Sequence, residues 1–290
     1  MHWRNLLRGL TPPIFVQVAR YLHSPQGQRP EWEYIPVGWS YAEEHPEVKG
    51  WDVPAIVEVY RHKWPRFAAF VAGSGPLGVN HETSIATNTD IYGHNLTMTF
   101  AYVLALAAHR KERIRLLDWG GGIGHYYLLA RALIPEVEID YFCRDLPRLC
   151  SYGSELFPEQ QFFADDRWRG ATYDLVMTCS SLQYEQDWQT LLRELCATAQ
   201  DLLFVTRLPI VRDTPSFVFV QRPYRFGYDT EYLGWCLNEQ ELLRVVDEAG
   251  LTLRREFVHG FCPDIRGAPG QNSYRGYLFQ RRPNTDCPNR

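Results

Sequence analysis

A buried strand that runs into a glycine-rich turn and then into a helix is the feature that most constrains this chain. Residues 116–124 read Leu-Leu-Asp-Trp-Gly-Gly-Gly-Ile-Gly, which gives the spacing Asp-x-Gly-x-Gly-x-Gly from Asp118 to Gly124. The apolar run before Asp118 predicts a buried strand, and the residues after Gly124 predict the start of a helix. Glycines in such a turn let the backbone approach a nucleotide cofactor, because no Cβ atoms intervene. A tight turn that binds no ligand is the alternative interpretation.

From residue 113 onward, predicted strands and helices alternate. The expected strands cover 113–118, 137–143, 161–164, 173–179, 201–206, 253–258 and 274–280, and the expected helices cover 126–133, 146–157, 188–199 and 239–249. This alternation predicts an α/β fold with a Rossmann-like, doubly wound sheet. Residues 1–110 lack it, and helical patterns at 51–70 and 97–109 predict a mostly helical N-terminal cap. We therefore expect a cap and substrate region at 1–110, a Rossmann-like domain at 111–283 and a tail at 284–290.

Composition limits the partners and the compartment. The 290-residue chain has a formal net charge of −4, whereas nucleic-acid binders usually carry a basic excess, so no nucleic-acid partner is expected. No apolar run approaches the roughly 20 residues of a membrane-spanning helix. The seven cysteines are scattered, without a Cys-x-x-Cys pair. We therefore expect reduced, mostly buried thiols in a cytoplasmic protein, with no metal site. The sequence does not indicate an oligomeric state.

Residues 1–24 form a basic, amphipathic segment. Arginines at positions 4, 8 and 20 are interleaved with apolar residues, and no acidic residue is present. Such a segment can lie on an anionic membrane surface. It can equally pack its apolar face on the body of the protein. Peripheral membrane contact and intramolecular packing both stay open.

Asp145 directly follows the second expected strand, before Leu146 and Pro147. In open α/β sheets, the carboxyl end of the second strand lies beside the cofactor ribose. A carboxylate there can accept hydrogen bonds from both ribose hydroxyls. We therefore predict that Asp145 and Leu146 bind the cofactor, in preference to Asp140 inside the strand. Capping of the next helix is the structural alternative, and both roles can coexist.

Several segments together resemble class I S-adenosylmethionine-dependent methyltransferases. The dinucleotide fingerprint needs a glycine where His125 stands, whereas Asp-x-Gly-x-Gly-x-Gly is similar to motif I of these enzymes. Residues 173–184, which end in Ser-Ser-Leu-Gln-Tyr, resemble motif IV, where a strand ends beneath the transferred methyl group. With Asp-Leu-Pro at 145–147 and Thr-Arg-Leu-Pro at 206–209, residues 30–280 resemble bacterial methyltransferases found among polysaccharide and other biosynthetic genes.

The resemblance implies methyl transfer from S-adenosylmethionine, on a sheet that ends in an antiparallel hairpin. The cofactor-binding residues that it implies are Asp118, Gly120, Gly122, Gly124, Asp145, Leu146, Asp165, Asp166, Ser180 and Ser181. For Asp165 and Asp166, a solvated turn is the alternative. The acceptor stays open: we expect a hydroxyl of a glycan or sugar-linked metabolite. The alternatives are N-, C- or O-methylation of a natural product, and a non-catalytic cofactor-binding scaffold tethered at the membrane.

An oxygen acceptor needs a base to remove its proton, and histidines are natural candidates. His125 directly follows the glycine turn, and His94 lies in a polar segment that we expect to be a loop of the cap. His81 and His259 are further candidates, and for each histidine a structural role is the alternative. The residues expected to contact the acceptor are Tyr92, Gln183, Tyr184, Arg207 and Gln221.

Overall fold

The computed structural model describes residues 29–79 and 87–283. From Glu31 onward, the described residues form one compact unit. The expectations for residues 1–24, His81 and the tail at 284–290 lie outside the described residues. Within the described ranges, no helix combines the length and the apolar character needed to cross a membrane.

The described residues contain a mixed set of strands and helices. The strands are β1 (Trp32–Tyr34), β2 (Arg113–Trp119), β3 (Glu138–Arg144), β4 (Gln161–Phe163), β5 (Tyr173–Cys179), β6 (Ala199–Val211), β7 (Phe217–Gln221), β8 (Tyr232–Asn238), β9 (Leu251–Val258) and β10 (Ser273–Arg281). The α-helices are α1 (Tyr41–Glu44), α2 (Pro54–Ala72), α3 (Ile91–Ala108), α4 (His125–Leu133), α5 (Pro147–Leu156), α6 (Trp188–Thr198) and α7 (Glu239–Glu248).

The central sheet confirms the predicted α/β fold. Its order is β4-β3-β2-β5-β6, with all of these neighbours parallel, and β10 then pairs antiparallel with both β6 and β9. The pair β9–β10 is the antiparallel hairpin that the resemblance implied. Neighbouring residues of β2 face opposite sides of the sheet: Leu116 packs in a core with α3 and α4, and Leu117 in a core with α6 and α7. Burial on both faces explains the continuous apolar runs of these strands.

A second group of strands extends the sheet beyond β6. The end of β6 pairs in parallel with β8, and β8, β7 and β1 continue as antiparallel neighbours. Residues 31–110 therefore contribute β1 to the sheet in addition to helices. The strands β1, β7 and β8 were not predicted, and the proposed boundaries at 110 and 283 stay predictions.

Helix α3 begins earlier than the sequence predicted. The Asp90 side chain caps it by accepting a hydrogen bond from the Gly93 backbone amide at 2.8 Å. The expectation that His94 lies in a loop is therefore wrong, since Tyr92 and His94 belong to the first turns of α3. The apolar run starting at Met98 had marked only the later part of this helix, because the preceding residues are polar.

Candidate functional site

The glycine turn between β2 and α4 uses backbone conformations that favour glycine. Gly120, Gly122 and Gly124 have φ angles of 76°, 64° and 94°. A Cβ atom on Gly120 would lie only 2.1 Å from Ser181 Oγ. On Gly122, by contrast, the nearest atom would be 3.6 Å away, on Tyr60. The turn is thus packed tightly against the end of β5 at Gly120, whereas a Cβ atom at Gly122 would make ordinary van der Waals contacts.

Asp118 supports this turn from inside the protein. Its side chain is fully buried, and Oδ2 accepts a hydrogen bond from the Tyr141 hydroxyl at 2.7 Å. A Cβ atom on Gly121 would meet the same Oδ2 at 2.5 Å. Burial raises the pKa of Asp118 to about 7. The structure therefore places Asp118 behind the glycine turn.

Asp145 links the end of β3 to the glycine turn. Its Oδ2 accepts from the Gly122 backbone amide at 2.7 Å, and Oδ1 accepts from the Leu146 amide at 2.6 Å. The residue at the N-cap of α5 is Leu146, followed by Pro147, so Asp145 precedes the cap. Burial raises the pKa of Asp145. A carboxylate has about four acceptor positions, and these two amides leave acceptor capacity for a ligand.

Two non-glycine residues, Ser180 just after the end of β5 and Arg207 within β6, lie in the left-handed region. Ser180 has a φ angle of 57°, and Arg207 has a φ angle of 56°. The Ser180 backbone amide donates to the Thr206 carbonyl at 3.0 Å, so the two strained positions are adjacent. Gln183 Nε2 donates to Ser180 Oγ at 3.0 Å. Strain of this kind costs about 1–3 kcal/mol per residue and clusters at functional sites.

A cavity of about 470 Å³ lies at the ends of β2, β3 and β5. This volume is typical of small-molecule sites. The sequence-predicted site residues that line it are Gly120, Gly122, Asp145, Leu146, Ser180, Ser181 and Tyr184. Most of the cofactor-binding residues implied by the resemblance thus meet at one place. The larger lining side chains that were not predicted are Trp39, Trp51, Tyr60, Trp119, Arg144, Glu185 and Tyr232.

Asp165 and Asp166 lie on the protein surface and do not line the cavity. Asp165 forms an ion pair with Arg167 at 2.6 Å, and Asp166 forms one with Arg169 at 2.6 Å. The hydrogen bonds from Arg167 lower the pKa of Asp165. The structure thus agrees with the solvated-turn alternative rather than with an approach to the cofactor. Gly124 also stays outside the lining, packed against Phe157.

We therefore expect Asp165→Asn to leave affinity for S-adenosylhomocysteine unchanged, because its carboxylate is directed to Arg167 rather than to the cavity. Titration calorimetry of this variant beside the unsubstituted protein checks the expectation. A clear loss of affinity would return Asp165 to the set of cofactor-binding residues.

None of the histidines in the described ranges lines the cavity. His125 is buried among the rings of Tyr60, Trp64 and Phe67, with centroid distances of 5.3, 5.5 and 4.9 Å. His94 is exposed on α3. His259 is buried beside Thr206, 2.8 Å from its hydroxyl, and burial lowers the pKa of His259 to about 4. His94 and His125, the two proposed catalytic residues, therefore both lie outside the cavity lining.

Of the residues predicted to contact the acceptor, Tyr184 alone lines the cavity in the described chain. Its hydroxyl donates to Gln221 Oε1 at 3.1 Å, which places Gln221 directly behind it. Gln183 is fully buried. Arg207 Nε donates to the Tyr92 hydroxyl at 3.3 Å, so these two residues form a pair away from the lining.

The segment 221–228 contains a buried ion-pair network. Arg222 lies 3.1 Å from Glu231 and 2.9 Å from Glu33. This network joins the segment to β1 and to the residue before β8. Its most buried part is therefore structural, whereas Tyr224 is half exposed.

Comparisons with known proteins add the following. No family model and no curated protein sequence matches the chain. The fold is similar to magnesium protoporphyrin IX methyltransferase from Synechocystis PCC 6803 with bound SAM (14% identity, 80% of this chain, 100% of that chain, TM-score 0.46). It is also similar to an amino pentose methyltransferase from Micromonospora echinaspora with SAM bound (15% identity, 65% of this chain, 91% of that chain, TM-score 0.43). A third structure with a similar fold is 1,6-didemethyltoxoflavin-N1-methyltransferase from Burkholderia thailandensis with bound S-adenosylhomocysteine (17% identity, 66% of this chain, 81% of that chain, TM-score 0.43). At these identities and scores, the likeness assigns no reaction to this chain.

Proposed function

We propose that this protein is a methyltransferase that uses S-adenosylmethionine. The observation that carries the proposal is the meeting of three neighbouring strand ends at one cavity. The glycine turn follows β2, Asp145 follows β3, and Ser180 and Ser181 follow β5. In open α/β sheets this edge is where nucleotide-like ligands bind. Asp145 retains acceptor capacity for ribose hydroxyls, and Gly122 lines the cavity without a Cβ atom.

The bound cofactor would supply a methyl group that its sulfonium already activates. The protein's contribution is then mainly to position the acceptor atom in line with that methyl group. Asp145 and the Gly122 backbone would hold the ribose, and Leu146 would contribute apolar contact beside it. Ser180 and Ser181, at the end of β5, would stand closest to the point of transfer. The tight packing of Gly120 on Ser181 keeps these two parts of the cavity in fixed relation.

For the acceptor, we propose a hydroxyl of a glycan or sugar-linked metabolite. The cavity combines aromatic rings with a few charged groups, a lining that suits a small polar molecule with apolar faces. The same lining also suits a flat natural product, so N-, C- or O-methylation of such a compound is the alternative. The scaffold alternative predicts cofactor binding without transfer to any acceptor pool.

Titration of the purified protein with S-adenosylhomocysteine, with NAD as the comparison ligand, tests the donor. Binding of the first alone is the expected result and would justify a screen with labelled methyl donor against acceptor pools. If neither ligand binds, the proposed function fails. If both bind alike, a general nucleotide site replaces the proposal.

Asp145→Asn should weaken binding of S-adenosylhomocysteine by about 1–3 kcal/mol, because it removes charged acceptors from the ribose and from the Gly122 amide. Calorimetry measures the change, and Asp165→Asn is the matched control, since it removes a carboxylate outside the cavity. Equal affinity in the two variants would assign the ribose to another residue.

A further inference from the structure

One wall of the cavity is a cluster of three aromatic rings, which we call the aromatic wall: Trp51, Tyr184 and Tyr232. The rings of Trp51 and Tyr232 stack with centroids 4.4 Å apart, and Tyr184 meets them edge-on at 5.2 and 5.0 Å. The three residues come from the segment before α2, the 3-10 turn after β5 and the start of β8. All three residues line the cavity beside the glycine turn. Tyr232 is buried beneath Trp51, whereas Trp51 and Tyr184 are only partly buried and present ring surface to a ligand.

Glu185 adds a carboxylate next to this wall. It follows Tyr184 directly, lines the cavity and is half-buried. Among the described residues, no hydrogen bond or ion pair reaches its carboxylate. Burial raises the pKa of Glu185, whereas the positive charge of Arg144 lowers it. A half-buried carboxylate that has no hydrogen-bond or ion-pair partner costs free energy of desolvation unless a ligand supplies that partner.

The other charged groups that line the cavity are engaged differently. Lys49 lies 3.8 Å from Asp229, and Asp52 lies 3.3 Å from Arg148. Asp145 already accepts two backbone amides at the cofactor side. Arg144 directly precedes Asp145, and its guanidinium lies over the Trp119 ring, 5.1 Å from the ring centroid. The anionic group left for an acceptor is therefore Glu185.

An aromatic surface and a carboxylate both favour the same kind of ligand. The negative faces of aromatic rings attract cations, most strongly where water is excluded. A carboxylate forms charge-assisted hydrogen bonds with ammonium groups. A neutral sugar would offer the Glu185 carboxylate no ammonium partner, and Glu185 would repel an anionic acceptor.

We propose that the acceptor carries a protonated amine, which Glu185 and the aromatic wall bind beside the cofactor. This inference rests on the proposed methyltransferase function. The amine is an anchor and not the methylated atom, because a protonated nitrogen has no lone pair to attack the methyl group. An amino sugar with a free hydroxyl satisfies both requirements.

Calorimetric titrations on protein saturated with S-adenosylhomocysteine test this subsite. The matched probes are glucosamine and glucose, which differ in one amine. We expect glucosamine to bind at least about tenfold more tightly, and Glu185→Gln to remove most of that difference. Tyr184→Leu should weaken glucosamine binding about threefold or more through the lost ring, whereas Tyr184→Phe, which keeps the ring, should not. Glu248→Gln, an exposed carboxylate outside the cavity, is the control.

Three results would overturn the proposal while leaving the proposed function intact. Equal binding of the two sugars, or no binding of either, would remove the amine subsite. Weaker S-adenosylhomocysteine binding in Glu185→Gln would assign Glu185 to the cofactor instead. Failure of the proposed function looks different, since unsubstituted protein would then not bind S-adenosylhomocysteine at all. Circular dichroism of each variant confirms that it is folded.

Discussion

Gly120→Ala should abolish measurable binding of S-adenosylhomocysteine and lower the free energy of unfolding by about 2–4 kcal/mol. Two causes add. The φ angle of Gly120 is 76°, a conformation that alanine adopts only at a cost. The new Cβ atom would also lie 2.1 Å from Ser181 Oγ and 2.3 Å from Ser181 Cβ. To relieve this overlap, the glycine turn must move away from the end of β5, which opens the proposed cofactor site.

The control for this substitution is Gly170→Ala. A Cβ atom on Gly170 would meet no atom within 4 Å, and its φ angle is not in the left-handed region. This variant should keep both stability and binding. Urea unfolding and calorimetry measure the two quantities. Near-normal binding in Gly120→Ala would mean that the turn can relax without disturbing the ligand, and our placement of the cofactor would be wrong.

Asp118→Asn should remove a pH dependence of stability worth about 4 kcal/mol, from roughly 1.4 kcal/mol per unit of pKa shift. Burial raises the pKa of Asp118 from 3.8 to about 7. Between these two values, the folded protein holds more protons than the unfolded chain, so stability falls as the pH rises through this window. The asparagine variant has no charge to bury and can still accept the hydrogen bond from Tyr141. Its stability should therefore change much less over the same window.

Urea unfolding of the two proteins across this window measures the difference between them. Tyr141→Phe provides a second check on the same carboxyl group. The hydrogen bond from Tyr141 lowers the pKa of Asp118, so its removal should extend the loss of stability to higher pH. Parallel pH profiles for all three proteins would show that Asp118 does not titrate in this range.

The half of the fold in which strands and helices alternate could be predicted because its central strands are buried on both faces. Tyr173–Cys179 was predicted and observed with the same bounds, since its apolar Leu-Val-Met centre is followed after Cys179 by the polar residues Ser180 and Ser181. Strand β6 continues to Val211, whereas the predicted strand ended at residue 206. The prediction ended early because Arg207 and Pro209 interrupt the apolar pattern of this strand.

The residues that line the cofactor side of the cavity could also be predicted in large part, because each follows a recognisable strand. Of the aromatic wall, on the proposed acceptor side, Tyr184 was predicted, whereas Trp51 and Tyr232 were not. Trp51 and Tyr232 are 181 positions apart in the sequence, and the hydrogen bond from the Gly50 amide to the Glu231 carbonyl, at 3.1 Å, joins their two segments. The aromatic residues between 32 and 51 were a visible signal, but no local pattern connects them to a strand end. Glu185 was not predicted, because the segment that resembles motif IV ends at Tyr184.

Strand β6 has a mechanical consequence for ligand binding. Its first part pairs with β5 and β10, and its last residues, Ile210 and Val211, pair with β8. Strand β5, which ends just before Ser180, and strand β8, which begins at Tyr232, thus both pair with one continuous strand. Because β5 and β8 share β6 as a neighbour, we expect both strands to unfold in a single transition. A ligand that binds residues at either strand should then raise the temperature of that one transition.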